Sequence, residues 1–487
     1  MFASTMPLEH ALAAASTVEM PKADMHPVLT ATRNLTERYL AMPIDHAALW
    51  RNQTFGLRYL VDATHFEPGG VLVVYTGNEA NVEDFAGACG FLWVLAERFH
   101  GVVILLEERY YGKSVPTTVG DRPYEFLSSI QVVADYALAV RRLRVEFDTS
   151  RVLAVGGSYG GMLAAWLRKQ HPDLVGAALA SSAPVLGYAS TLLEQHRVDN
   201  FWRVTERSYT CRGVLGSAFR ALWATRPMDW DRVGSDFGLC PASRIRNTTM
   251  LEALVGFLQQ ELSALAFANY PYAVGDMPAN PTAYACASIS RAARAHRAST
   301  ITAPGWLPLS DALGWHYRKA GSCLALSASF AAYTPGFLPG PWTFQRCTDL
   351  VMAFSVANDS RMLLPCAGGF QLNCASEGQA ALRAFCKQAY GVVVPDAAIL
   401  QAYWGDDWSA SRGGHRILFS NGELDPWSYG GVPEGLAGDA DGPVALRIAG
   451  SAHHLDLRGP SAGDPPAVVA ARQQELTILG RWLGVSA

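Results

Sequence analysis

The chain is poor in charge. Only 17% of its 487 residues are Asp, Glu, Lys or Arg, and the formal net charge is −4 with a pI near 6.3. No basic excess is present to attract phosphate backbones or anionic surfaces, so nucleic acid is not an expected partner. No apolar run approaches the ~20 residues of a transmembrane helix, so no membrane span is expected. CxxC pairs and the Cys/His spacings of structural zinc are missing, and neither a metal nor an organic cofactor is implied. A clear secretory leader is lacking too. The stretch "EHALAAAST" is apolar only briefly and has no basic flank.

What is present is apolar bulk and clustered cysteine. Half of the residues are hydrophobic. The length exceeds the roughly 250–300 residues that one core usually serves, which predicts one large domain with an insertion, or two domains. Of nine cysteines, Cys211, Cys240, Cys286, Cys323, Cys347, Cys366, Cys374 and Cys386 share one central stretch, and Cys89 stands apart. Such clustering without metal spacing predicts disulfides and an oxidising route, secreted or lysosomal/vacuolar. Asn-X-Ser/Thr triplets at Asn34, Asn52, Asn247 and Asn358 are compatible with that route.

Residues 1–42 show no sustained periodicity and read as an irregular lead-in. Buried strands are then predicted at 71–75, 101–108, 151–156 and 176–182, separated by helices over 83–99, 128–147 and 161–170. Alternating strand and helix predicts an α/β class with a mostly parallel sheet and helices on both faces. The alternation stops after "SSAPV". Residues 188–395 read as helices with cysteine-bearing loops, a cap inserted between sheet segments 43–187 and 396–487. Strands return at 415–422 and 443–450, followed by a last helix. A cap with little core of its own gains from cross-links.

The stretch "VLAVGGSYGGMLAAWLRK" carries the chemistry. Gly156-Gly157-Ser158-Tyr159-Gly160 satisfies G-x-S-x-G, between an apolar run and a helical one. A strand-to-helix turn that sharp needs glycines two residues either side of a serine held out for attack. The alternative is a plain turn. Such a serine needs a base and an acid later in the chain. "FSNGELDPWS" offers Asp425 and "GSAHHLDL" offers His453 and His454, against the bland readings of an Asp-Pro turn and loop polarity. The amide of Tyr159 is one oxyanion donor, and Gly77 or Asn78 in "VVYTGNE" supplies a second unless they only form a turn.

Together "GGSYGGMLAAWLRKQHPDLVGAALASSAPV", "YTGNEANV", "EERYYGKS", "NYPY…MPANP", "FQRCTD", "FSNGELDPWS" and "AHHLDLR" resemble the prolyl carboxypeptidase and dipeptidyl-peptidase II family of serine peptidases. The resemblance runs from about Pro43 to the C-terminus. It implies an α/β-hydrolase fold with a helical cap, and proline-containing peptide substrates cut after proline. Ser158, Asp425 and His453 fall on the family's triad positions. Met162, Met352 and Trp427 match an apolar proline pocket, where sulfur and indole suit a pyrrolidine ring. The resemblance also implies disulfides Cys240–Cys323 and Cys347–Cys386. It leaves Cys211 and Cys286 less clear, and Ser355 stands where a half-cystine is expected, so Cys366 and Cys374 are candidates to substitute.

The chain departs from the family pattern at Glu108, where histidine is expected, at Asp349 in "CTD", and at Tyr429 within a glycine run. The resemblance implies that the dipeptidyl branch grips a free α-ammonium with an acid in the segment 323–342, which here holds no Asp or Glu, and this favours a Pro-Xaa carboxypeptidase over a dipeptidyl peptidase or a post-proline endopeptidase. Glu108 is the remaining candidate for that grip. Rivals of another class are an esterase or lipase and a non-catalytic hydrolase-fold binding protein. Whether the chain forms a homodimer is left open.

Overall fold

The computed structural model describes residues 33–48, 52–116, 123–187, 198–296, 303–318, 322–326, 340–352, 355–365, 375–435 and 440–485. The candidate leader, most of the lead-in, and Cys366 and Cys374 lie outside the described residues. Among those described, eight strands form one sheet in the order β1-β2-β4-β3-β5-β6-β7-β8. These are β1 Thr36–Pro43, β2 Thr54–Asp62, β3 Leu72–Thr76, β4 Val102–Leu106, β5 Val152–Gly157, β6 Ala177–Ser181, β7 Ile417–Gly422 and β8 Val444–Ile448. β1 and β2 pair antiparallel and β2 joins β4 antiparallel, whereas β4 through β8 run parallel. This is the α/β-hydrolase arrangement.

Strands β3 to β7 are buried at every position, so their sequences are near-continuous apolar runs. β1 instead lies at the edge and is mostly exposed. "TERYLAMP" therefore carries no apolar run, and the reading of residues 1–42 as irregular is corrected by a strand from Thr36. The helix expected over 83–99 is two, α1 Val82–Ala88 and α2 Phe91–Arg98. They break at Gly90, where a Cβ would come within 2.5 Å of the Gly459 Cα, so only glycine lets the two backbones approach. α3 Ser129–Glu146 follows β4 after an intervening loop, with Ser128 accepting at its N-cap from the Gln131 amide. α4 Tyr159–Gln170 follows β5 and is buried almost all round, the central helix of the domain.

After β6 the chain leaves the sheet for α5 Asn200–Arg207, α6 Arg212–Trp223, α7 Trp230–Asp236, α8 Thr248–Phe267, α9 Pro281–His296 and α10 Leu307–Tyr317. Phe219, Leu254, Leu262, Leu313 and Met362 share a core of their own within this insertion. Next come α11 Pro341–Thr348, α12 Ala375–Tyr390 and α13 Ala397–Trp404, whose Cys347, Cys386, Leu400 and Trp404 join the core of the sheet domain instead. Trp404 stacks on Trp166 of α4 at 4.2 Å. Segment 188–395 thus contributes to two cores rather than forming one body. α14 Pro466–Leu483 closes the fold against β6 and β8.

Among the described residues three disulfides brace the insertion. Cys240–Cys323 and Cys347–Cys386 are formed, and so is Cys211–Cys286. Cys89 is buried and unpaired.

Candidate active site

The turn from β5 into α4 is as tight as its glycines require. Ser158 adopts φ 58°, ψ −129°, a left-handed conformation that costs a non-glycine residue strain. A Cβ on Gly156 would lie 2.1 Å from the Gly160 carbonyl oxygen. One on Gly160 would lie 2.6 Å from the Thr76 carbonyl oxygen. The Thr76 hydroxyl donates to the Gly160 carbonyl at 2.7 Å, tying the elbow to β3. The Ser158 amide donates to Ser181 O at 2.9 Å and fixes it to β6. Ser158 itself stays partly exposed.

Asp425 follows β7 and His453 follows β8, so parallel neighbours deliver both to the same sheet rim. Nδ1 of His453 stands 2.9 Å from Oδ1 of Asp425, both side chains wholly buried. The approach is close, although off the line of a well-aligned hydrogen bond. The Asp425 oxygen also accepts from the Trp427 amide at 2.9 Å, so the Asp-Pro turn orients the carboxylate. Nε2 of His453 is buried and makes no hydrogen bond among the described residues.

The adjacent histidine differs. His454 sits at φ 35° and its amide donates to the Ser182 hydroxyl at 2.8 Å. Burial, and then the charges of His453 and Arg458, push its imidazole well below the usual histidine range.

The Tyr159 amide lies at the first turn of α4, where N–H groups have no intrahelical acceptor. Asn78 is buried against the elbow, 2.8 Å from where a Cβ on Gly160 would be. Its side-chain amide donates to Glu79 Oε2 at 2.7 Å, and the Gly77 carbonyl accepts from Tyr136 at 2.6 Å. Burial raises the Glu79 carboxyl, while the charge of His453 works against it. Sequence reading passed over Glu79, which follows the oxyanion segment directly.

Two expectations are corrected here. Glu108 does not face the cleft: it is wholly buried, and its Oε1 accepts from Gln345 at 2.7 Å and from the Tyr159 hydroxyl at 3.3 Å. Burial holds its carboxyl well above the usual range. Met162 is also wholly buried, in the core beneath the elbow, which makes it packing and not a pocket wall.

Met352 and Trp427 keep partial exposure. Trp427 meets Phe201 of α5 edge-on at 5.2 Å and lies 6.4 Å from Tyr429, with Leu186 alongside. The sulfur of Met352 and the Tyr429 hydroxyl both border Gly187. Cap and acid loop therefore share one aromatic cluster. Phe201 had no local signal, since only the fold brings α5 to this rim.

A family model described as serine carboxypeptidase S28 matches residues 42–475. The chain belongs to that family. It is therefore a serine-type peptidase, and peptides are its substrate class. Similar relatives include the lysosomal Pro-X carboxypeptidase of Mus musculus, 31% identical over 470 residues, 93% of this chain and 90% of that protein. The Homo sapiens protein of the same name is 29% identical over 497 residues, 99% of this chain and 94% of that protein. Prolyl carboxy peptidase like protein 5 of Caenorhabditis elegans is 30% identical over 480 residues, 92% and 90%.

Proposed function

We propose that this S28 peptidase is a Pro-Xaa carboxypeptidase working through an acyl-enzyme. The observation that carries the reading is a strained elbow serine on a rim shared with a histidine whose Nδ1 stands 2.9 Å from a buried carboxylate. Ser158 Oγ attacks the proline carbonyl and forms the C–O bond while its proton passes to Nε2 of His453. Asp425 steadies the imidazolium. The amide of Tyr159 and a donor from the Gly77–Asn78 segment receive the oxyanion. His453 then protonates the leaving amine as the C–N bond breaks, and water releases the proline acid by the reverse sequence. Such a mechanism calls for no metal or organic cofactor.

Met352 and Trp427, backed by Phe201 and Tyr429, suit a proline ring, which gains from an apolar slot. Among the described residues of 323–342 there is no carboxylate, and Glu108 is enclosed, which weighs against a site for a free α-ammonium. The relatives' names and the disulfides support a lysosomal or secreted setting.

The test is a pair of peptides ending in Pro-Xaa, one with a free carboxylate and one amidated. The free acid should lose its last residue at least ten-fold faster. Equal rates would refute the carboxypeptidase assignment.

A further inference from the structure

The end of the cap helix α8 lies on the candidate catalytic histidine. The ring of Phe267 sits 4.2 Å from the His453 imidazole, tilted 33°. The carbonyl of Phe267 accepts from the His453 amide at 3.3 Å, and the Tyr270 hydroxyl donates to the His453 carbonyl at 3.1 Å. Both main-chain polar groups of His453 are thus spent on the cap, and its side chain is wholly buried. The support is firm. Tyr270 is buried, its carbonyl accepts from the Asn280 amide at 2.7 Å, and the Arg458 guanidinium lies over its ring at 4.7 Å. Phe267 keeps partial exposure.

We propose that Phe267 and Tyr270 are positioning residues for His453: Tyr270 fixes its backbone, and the face of Phe267 stabilises the imidazolium formed during acylation. This rests on the Ser158–His453 reading above, but not on proline specificity. A base takes the serine proton in its neutral form and becomes cationic once it holds that proton. An aromatic face attracts the cation and hardly distinguishes itself from other apolar matter toward the neutral ring. The attraction is therefore worth more in the transition state than in the ground state, the condition for raising kcat. Desolvation around the buried ring strengthens it. The cap then does more than restrict entry to the site. It supplies one wall of the base.

Three variants of the full chain test this: Phe267→Leu, which keeps apolar bulk without a π face, Phe267→Tyr, which restores one, and Tyr270→Phe, which removes only the hydroxyl. Each is assayed for kcat and KM on the Pro-Xaa acid and for the second-order rate of Ser158 labelling by a fluorophosphonate, with thermal melting as the fold check. Phe267→Leu should lower kcat and the labelling rate about 10-fold with KM within about 3-fold of wild type, a size set by cation–π attraction. Phe267→Tyr should stay within about 3-fold throughout. Tyr270→Phe should lower kcat and labelling several-fold with KM unchanged. A leucine variant with wild-type kcat and labelling, or one whose loss lies wholly in KM, overturns the proposal. Labelling reads the base without a peptide. Wild-type protein that labels readily but leaves Pro-Xaa intact therefore refutes the proline reading alone.

Discussion

Gln345, on cap helix α11, donates its side-chain amide to the buried carboxyl of Glu108 at 2.7 Å and to the Tyr159 hydroxyl at 3.0 Å. Its own oxygen accepts from Tyr111 at 2.6 Å. The residue next to the nucleophile is therefore held by α11, both directly and through a carboxyl that never meets solvent. Glu108→Gln keeps the shape and an acceptor for Gln345, and should leave kcat/KM within about 3-fold of wild type. Gln345→Ala should lower kcat about 10-fold, since the donor segment at Tyr159 loses its brace and oxyanion donors are sensitive to placement. Steady-state kinetics on one peptide decides it. A large rise in KM from Glu108→Gln alone would restore the substrate-gripping role that burial denies it.

Stability should favour acid. Burial pushes the Asp349 carboxyl up to about 6 from an ordinary 3.8, although its Oδ2 accepts from the Ser129 amide at the start of α3. A carboxyl raised on folding contributes its full stability below the unfolded value. It loses that contribution as pH climbs through the folded value. The window for Asp349 is therefore about pH 4 to 6. At ~1.4 kcal/mol per pKa unit the loss is at most about 3 kcal/mol. Melting of Asp349→Asn, compared with wild type at pH 4.5 and pH 7, should show the variant gaining a few degrees relative to wild type at the higher pH. A relative gain at the lower pH would contradict the assignment.

The disulfides should separate by consequence. Cys211–Cys286 joins α6's entry to α9 inside the cap, whereas Cys347–Cys386 ties α11, with Gln345 upon it, to α12. Replacing either pair with alanine should cost roughly 2–4 kcal/mol, seen as a lower melting temperature. Only Cys347/Cys386→Ala should also lower kcat well below the folded midpoint. Equal activity in both variants would mean that α11 needs no tether.

Trp427→Ala removes an indole that packs on Phe201 and borders the candidate proline slot. With the ring gone, KM for a Pro-Xaa peptide should rise about 10-fold or more while Ser158 labelling by a small fluorophosphonate changes little, since apolar burial rather than chemistry is lost. Parallel loss of both would place Trp427 in the support of Asp425 instead.

What could be read from the sequence was whatever is local. The elbow declares itself by glycines that steric contact demands within five residues. Strands β3 to β7 declare themselves by burial on both faces. Asp425 follows one of these, β7, and His453 follows the less buried β8, whose apolar run still showed, so their loops were legible as well. β1 was not, because an exposed edge strand has no apolar pattern. Phe201, Phe267 and Tyr270 were not, because each owes its place to how the cap rests on the rim. Glu108 and Met162 were placed at the cleft by motif position, and the depth of a side chain in the core is not written in a motif.

The most direct test of the account is to label the folded protein with a fluorophosphonate, digest it, and locate the adduct by mass spectrometry in wild type and in His453→Ala. One adduct is expected, on the peptide bearing Ser158, with the labelling rate falling by about three orders of magnitude when His453 is removed. An adduct elsewhere, or a rate indifferent to His453, would contradict it.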